Sequence, residues 1–159
     1  MPRIKRQNAP LYGVSTERAI ANFPISSWRM PRAFLHVLAL IKQHAAVANG
    51  ELGELPKTLT EAIAQAAAEV AAGKCLDQFP VDVFQTGSGT STNMNMNEVI
   101  AALAARGQGG HKRAQEVHPN DHVNRGQSSN DVIPTALQIA CALGVRDGLL
   151  PALKKLQTA

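Results

Sequence analysis

The chain has 159 residues, 45% of them hydrophobic and 4% aromatic, with a formal charge of +4. That is enough apolar material for one buried core, built from Ala, Leu, Ile and Val, and Ala-rich, aromatic-poor composition favours helix. The basic residues are scattered apart from Arg3, Lys5 and Arg6, and no basic helix face with interleaved aromatics occurs, so nucleic acid is not an expected partner. Two distant cysteines, Cys75 and Cys141, exclude a disulfide scaffold and fit a reducing compartment. No apolar run reads as long enough to span a membrane, and Met1 to Pro10 lacks the apolar stretch of a secretory signal.

In chain order, Pro2 to Trp28 reads as irregular, punctuated by Pro10, Gly13 and Pro24. Pro31 opens a helical period in which Phe34, Leu38, Ile41, Ala45 and Ala48 share a face, stopping near Asn49-Gly50. Thr58 and Glu61 form a T-x-x-E box that predicts a second helix start; Ile63, Ala67 and Val70 make its apolar side and Gly73 its end. Phe79 to Phe84 predicts an extended connector. Asn93 to Arg106 predicts a third helix with Ile100 and Leu103 inward, followed by a loop at Gly107 to Gly110. His118 to Asn130 reads as polar and irregular. From Asp131 a helical pattern runs through Ala136, Ile139, Ala140, Leu143, Leu149 and Leu153, weakened by Gly144, Gly148 and Pro151. It carries no stop signal, which leads one to expect further chain.

Two polar segments directly precede predicted helices: Thr86 to Asn93, rich in Gly, Ser and Thr, and Gln127 to Asp131. Helix N-termini present unpaired N–H groups and partial positive charge, glycine permits close approach, and hydroxyls add donors, so both segments suit a small dicarboxylate. Ser, Thr and Asn are equally ordinary helix caps, and both readings stand at this point. His118 and His122 lie four apart with Asp121 between them, but Pro119 opposes a regular helix there and no matched third ligand is present, so no metal site is expected.

The segments FPVDVFQTGSGTSTNMNMNEVIA (79–101), VHPNDHVN (117–124) and QSSNDVIPTA (127–136) closely resemble signature regions of the class II fumarases of the fumarase/aspartase superfamily, and LYGVSTERAIANFPIS (11–26) resembles that family's N-terminal segment. The nearest rival is aspartate ammonia-lyase. Ser88, His118 and Ser129 lean to fumarase, since aspartases usually carry Ala, Asn and Thr there.

The resemblance implies a mainly α fold. Residues 1–127 would form the N-terminal substrate-binding domain, and residues 128–159 the truncated opening of a long helix of the central bundle. It implies reversible hydration of fumarate to (S)-malate, a step of the tricarboxylic acid cycle, with neither metal nor organic cofactor. By position, Ser88, Gly89, Thr90, Ser128, Ser129 and Asn130 would line the dicarboxylate site. His118, Pro119, Asn120 and Asp121 would form a secondary dicarboxylate loop. Some relatives carry Arg three residues before the His; this chain has Gln115, with Arg113 nearby. The family's Thr-His pair and its G-S-S-x-M-P-x-K-x-N loop, which carry acid–base chemistry, do not occur in these residues. The family works as a homotetramer with sites built from three subunits, in the cytoplasm or, in eukaryotes, the mitochondrial matrix. This chain alone is therefore expected to be inactive. A non-catalytic helical module that associates with a full-length relative is a further reading.

Overall fold

In the computed structural model, residues 10–107 and 116–158 are described. The Met1 to Pro10 lead-in, apart from Pro10, lies outside them, as do Gln115, Arg113 and most of the Gly107–Gly110 loop. The described residues form six α-helices in order: α1 (Val14–Asn22), α2 (Arg32–Glu51), α3 (Lys57–Ala71), α4 (Thr90–Gly107), α5 (Ser129–Gly144) and α6 (Leu150–Gln157). Among the described residues the only β pairing is an isolated antiparallel bridge between Arg29 and Asp82. The mainly α architecture expected from composition is the one that folds.

Helix α4 is the axis of the core. Residues 95–101 are buried all round the helix, with Met96, Val99 and Ile100 fully inside, and α3 packs along it. Helices α2 and α3 form an antiparallel pair whose inner faces meet through Leu35, Leu38, Leu59, Ile63 and Val70. The buried face of α2 differs from the expected one. Phe34 and Leu38 lie inside, but Ile41 and Ala45 are only partly buried and Ala48 is exposed; Lys42 and Ala46 take their place. Helix α3 starts at Lys57 behind Pro56, so its first turn precedes the position a Thr58–Glu61 box would set. Pro56 fixes the backbone for entry, which makes a side-chain cap dispensable.

Helix α1 corrects the irregular reading of residues 2–28. Its start has no side-chain cap of its own, and Glu98 of α4 supplies one from 82 residues away. Glu98 Oε2 accepts from Gly13 N at 2.9 Å, Thr16 N at 3.1 Å and Thr16 Oγ1 at 2.6 Å, and Oε1 accepts from Ser15 N at 2.9 Å. A carboxylate at a helix N-terminus meets both orphan donors and the positive dipole end. Asp82 fastens the following strand-like segment in the same manner, accepting from Ser26 N and Oγ and from Phe84 N.

The stretch after His118 is also more regular than expected. Pro119–Val123 forms one wide helical turn, with Asn124 N donating to Pro119 O at 3.0 Å. Pro119 occupies the first position, where its missing N–H costs nothing. Helix α5 begins at Ser129, two residues before Asp131, and passes through Pro134. A second wide turn, Val145–Leu149, joins it to α6. Pro151 cannot donate to the carbonyl four residues before it, so the widened turn falls where the sequence placed a weakness. Val132 and Ala136 dock on the core; beyond them Leu137, Ile139, Val145, Leu149, Leu150, Leu153 and Leu156 are exposed. By length and composition alone, Ser129–Gln157 could cross a membrane, contrary to the sequence reading. That reading looked for an unbroken apolar run, whereas a continuous helix can carry a few charges.

Glu98 provides a test. Burial pushes its pKa up, but the hydrogen bonds from Thr16, Gly13 and Ser15 outweigh that and hold it below the ordinary value of 4.5. Its contribution is therefore complete above the ordinary glutamate range and is lost as pH falls through the lowered value. Glu98→Gln is expected to cost about 1–3 kcal/mol, by leaving donors of α1 unpaired, and to speed amide exchange selectively in residues 14–22. Unchanged exchange in α1 would show that the carboxylate does not hold it.

Candidate functional site

The Thr86–Asn93 and Gln127–Asp131 segments, some 40 residues apart in sequence, meet at the N-termini of α4 and α5. Ser88 Oγ lies 2.9 Å from Thr90 Oγ1 and 3.4 Å from Ser129 Oγ; Thr90 Oγ1 and Ser129 Oγ are 3.1 Å apart. The three hydroxyls make a closed triangle at the protein surface.

Capping is carried by other side chains. Gln85 Oε1 accepts from Thr92 N at 2.8 Å, and Gln85 Nε2 donates to Thr92 Oγ1 and to Asp82 O, so the start of α4 is capped from the connector. At α5 the cap is Ser128, whose Oγ accepts from Asn130 N at 3.2 Å. The capping reading thus holds for Ser128, while Ser88, Thr90 and Ser129 cap nothing and bond one another. Asn130 sits exposed in the first turn of α5.

Gly89 makes this approach feasible. Its φ of +64° is left-handed, and a Cβ there would come within 3.0 Å of Ile133 Cγ2 on α5. The backbone of one segment therefore rests directly on the other helix.

Beneath the triangle lies a polar cluster that periodicity did not reveal. Lys42, on the inner face of α2, is 0% exposed. Its Nζ donates to Asn124 Oδ1 at 2.9 Å and to Gln127 Oε1 at 3.0 Å. Asn124 Oδ1 also accepts from Asn93 Nδ2 at 3.1 Å and Asn97 Nδ2 at 3.2 Å, both on α4, and Asn124 Nδ2 donates to Gln127 O at 3.0 Å. Gln127 Nε2 closes the loop on Val123 O. Desolvation lowers the Lys42 pKa from 10.5 to about 7. A signal was available: Lys42 is the only Lys, Arg, Asp or Glu between Arg32 and Glu51, and it falls in register with Leu35, Leu38 and Ala46.

His118 caps the wide turn. Its Nδ1 accepts from Asp121 N at 3.2 Å and lies 3.1 Å from Asp121 Oδ2, while its backbone N donates to His122 Nδ1. The two contacts of Nδ1 need opposite tautomers, so only one forms at a time. Pro119 and Asn120 continue the turn, with Asn120 and Asp121 facing solvent. Among the described residues, no three His, Cys, Asp or Glu side chains gather as a metal site would require. Two concavities among the described residues lie away from the hydroxyl triangle: about 370 Å³ beside Arg29, Arg32 and Asp77, and about 110 Å³ between α3 and α4.

A helical core with two hydroxyl-bearing helix starts in contact matches a known architecture. The chain belongs to the lyase family, which it matches over residues 2–159. Its relatives within that family include fumarate hydratase class II of Xylella fastidiosa (strain Temecula1), 57% identical over 147 residues that make up 92% of this chain and 30% of that protein. The Methylorubrum extorquens fumarate hydratase class II is 54% identical, over 93% of this chain and 32% of its own length. Among solved structures, the class II fumarase of Schistosoma mansoni superposes with a TM-score of 0.87 at 40% identity, covering 95% of this chain and 32% of that one. A fumarate lyase:delta crystallin from Brucella melitensis gives 0.81 at 43% identity, over 86% and 33%. The chain therefore spans about a third of the length of these relatives, and the resemblance seen in its motifs runs along the chain.

Two outcomes follow from the geometry. Gly89→Ala is expected to destabilise the fold by about 1–2 kcal/mol or more, through the left-handed conformation and the contact with Ile133. Gly87→Ala, where a Cβ meets nothing within 4 Å, serves as the control. Equal urea midpoints for the two variants would refute the close approach. Lys42 sets a pH dependence. Between about pH 7 and 10.5 the unfolded lysine holds a proton that the folded one has released, so stability rises with pH across that window. Lys42→Met removes this slope; parallel stability curves for parent and variant would contradict it.

Proposed function

We propose that this chain supplies the substrate-binding segment of a class II fumarate hydratase, which interconverts fumarate and (S)-malate in the tricarboxylic acid cycle. The observation that carries the reading is the hydroxyl triangle of Ser88, Thr90 and Ser129 at two helix N-termini. Removing the C3 proton of malate places a second negative charge on the adjacent carboxylate, and preorganised donors aimed at that charge lower the barrier. The three hydroxyls satisfy one another until carboxylate oxygens replace those mutual bonds, and the helix dipoles favour the exchange.

Substrate contacts are assigned to Ser88, Gly89, Thr90, Ser129 and Asn130, with Ser128 shaping the loop as its cap. His118, Pro119, Asn120 and Asp121 form a secondary dicarboxylate loop in this reading. No catalytic acid or base is assigned within the chain; those groups belong to the other two thirds of the relatives' length. Residues 1–127 serve as the substrate-binding domain, and the helix from 128 onward enters a central bundle. Its exposed leucines fit packing against sister helices of a homotetramer better than a lipid environment, since Arg146, Asp147, Lys154 and Lys155 interrupt the apolar surface. The setting in this reading is the cytoplasm, and the mature site needs no metal or organic cofactor.

The test is a chimaera in which this chain replaces the matching third of the Xylella fastidiosa fumarate hydratase class II. It should hydrate fumarate, and Ser88→Ala or Ser129→Ala should each lower turnover by about 10²-fold, while the isolated chain remains inactive. Full turnover in both variants would remove the triangle from the site. Ammonia release from aspartate in place of malate turnover would replace the assignment by an aspartase.

A further inference from the structure

We infer that Lys42 is a positioning residue for the dicarboxylate site: from inside the core it sets the placement of the α5 start, and hence of Ser129, relative to Ser88 and Thr90. The inference rests on the functional reading above but on different atoms. Lys42 Nζ binds Asn124 Oδ1 and Gln127 Oε1, the two side chains that bracket the turn into Ser128. The orientation of the Asn124 amide is fixed at both ends, because its oxygen faces the Lys42 ammonium and its nitrogen faces Gln127 O. The same oxygen receives Asn93 and Asn97 of α4, three and seven residues beyond Thr90. One amide oxygen therefore ties together α2, the helix that begins at Thr90 and the loop that ends at Ser128.

Among the described residues no alternative partner competes for the ammonium. Its hydrogen bonds among the described residues go to amide oxygens of this loop, and it makes no ion pair among them. Desolvating a lysine is unfavourable unless its hydrogen bonds are made well, so a displaced loop would leave a buried polar group unsatisfied. That penalty favours one arrangement of Asn124 and Gln127, while Asn49 Nδ2 and Glu54 hold the intervening Arg125 from outside the core. Methionine is similar in length and keeps the packing, but it offers neither donor and has no reason to hold the loop.

The experiment follows the backbone amides of Ser88, Thr90, Ser129 and Asn130 by nuclear magnetic resonance in this chain, titrated with fumarate. Parent chain, Lys42→Met and Ile63→Val are compared; Ile63→Val loosens the core away from the loop and touches none of the network. The expected result is at least a tenfold weaker fumarate affinity in Lys42→Met, loss of exchange protection at the Asn124 side-chain amide, and unchanged affinity in Ile63→Val. Equal affinity for parent and Lys42→Met overturns the positioning role. Loss of affinity in Ile63→Val as well reduces it to general stability, which also overturns it. If Lys42→Met does not fold, Gln127→Leu removes one of the two acceptors from the loop itself. Weakened binding there supports the inference and unchanged binding overturns it. If the parent chain gives no shifts at these four amides, the comparison is read as fumarate KM in the chimaera: a KM raised at least tenfold in Lys42→Met but not in Ile63→Val supports the inference, and an unchanged KM overturns it. A parent chimaera without fumarate turnover refutes the functional reading, and a retained Asn124 side-chain protection in Lys42→Met then still refutes the lysine's hold on the loop.

Discussion

Burying the ammonium of Lys42 imposes a condition on the rest of the fold. A lysine in the core must find oxygen acceptors or give up its charge, and this one does some of each: two amide oxygens receive it, and desolvation draws its pKa down to about 7. Both acceptors lie in the short stretch between the wide Pro119–Val123 turn and the start of α5. That stretch is drawn onto α2 and α4. Asn124 then serves three donors with one oxygen, and the surface hydroxyls above it are spaced as they are because the core below leaves the backbone little freedom.

The N-terminal segment is held by the same physics with the sign reversed. Glu98 and Asp82 are buried carboxylates that accept mainly from backbone N–H and hydroxyl groups. For Asp82, burial raises the pKa, yet the hydrogen bonds from Phe84 and Ser26 and the nearby Arg29 bring it below the ordinary range. A helix as short as α1 is marginal by itself; one carboxylate from α4 meets its orphan donors. Three buried charged groups, each joined to neighbours distant in sequence, thus connect segments that hydrophobic contact alone would leave free to slide.

How much of this could be read from the chain differs by element. Helices α2, α3 and α4 show in their apolar periodicity, and the weak point before α6 shows in Gly144, Gly148 and Pro151. The hydroxyl segments were visible as Gly-, Ser- and Thr-rich helix entries, though not which hydroxyls would cap and which would face outward. Gln85 decided that at α4 by taking the capping role. Helix α1 was hidden because its cap is not local, and Lys42 because a lysine on a helix usually extends its charge to water. The Thr58–Glu61 box was overruled by Pro56, which starts α3 at Lys57, two residues before a Thr58 cap would.

The sequence by itself determined the helical class, the approximate course of the long helices, the family through its three motifs, and the hydroxyl-rich entries to two helices. These rest on local spacing and composition, which a linear reading captures. The tertiary structure alone decided that the Ser88, Thr90 and Ser129 hydroxyls meet, that Ser128 and Gln85 serve as caps, and that Lys42, Asn124 and Gln127 join in one buried cluster. Each of those outcomes depends on groups tens of residues apart competing for the same hydrogen bonds in a desolvated core, and that competition is settled only when the chain is packed.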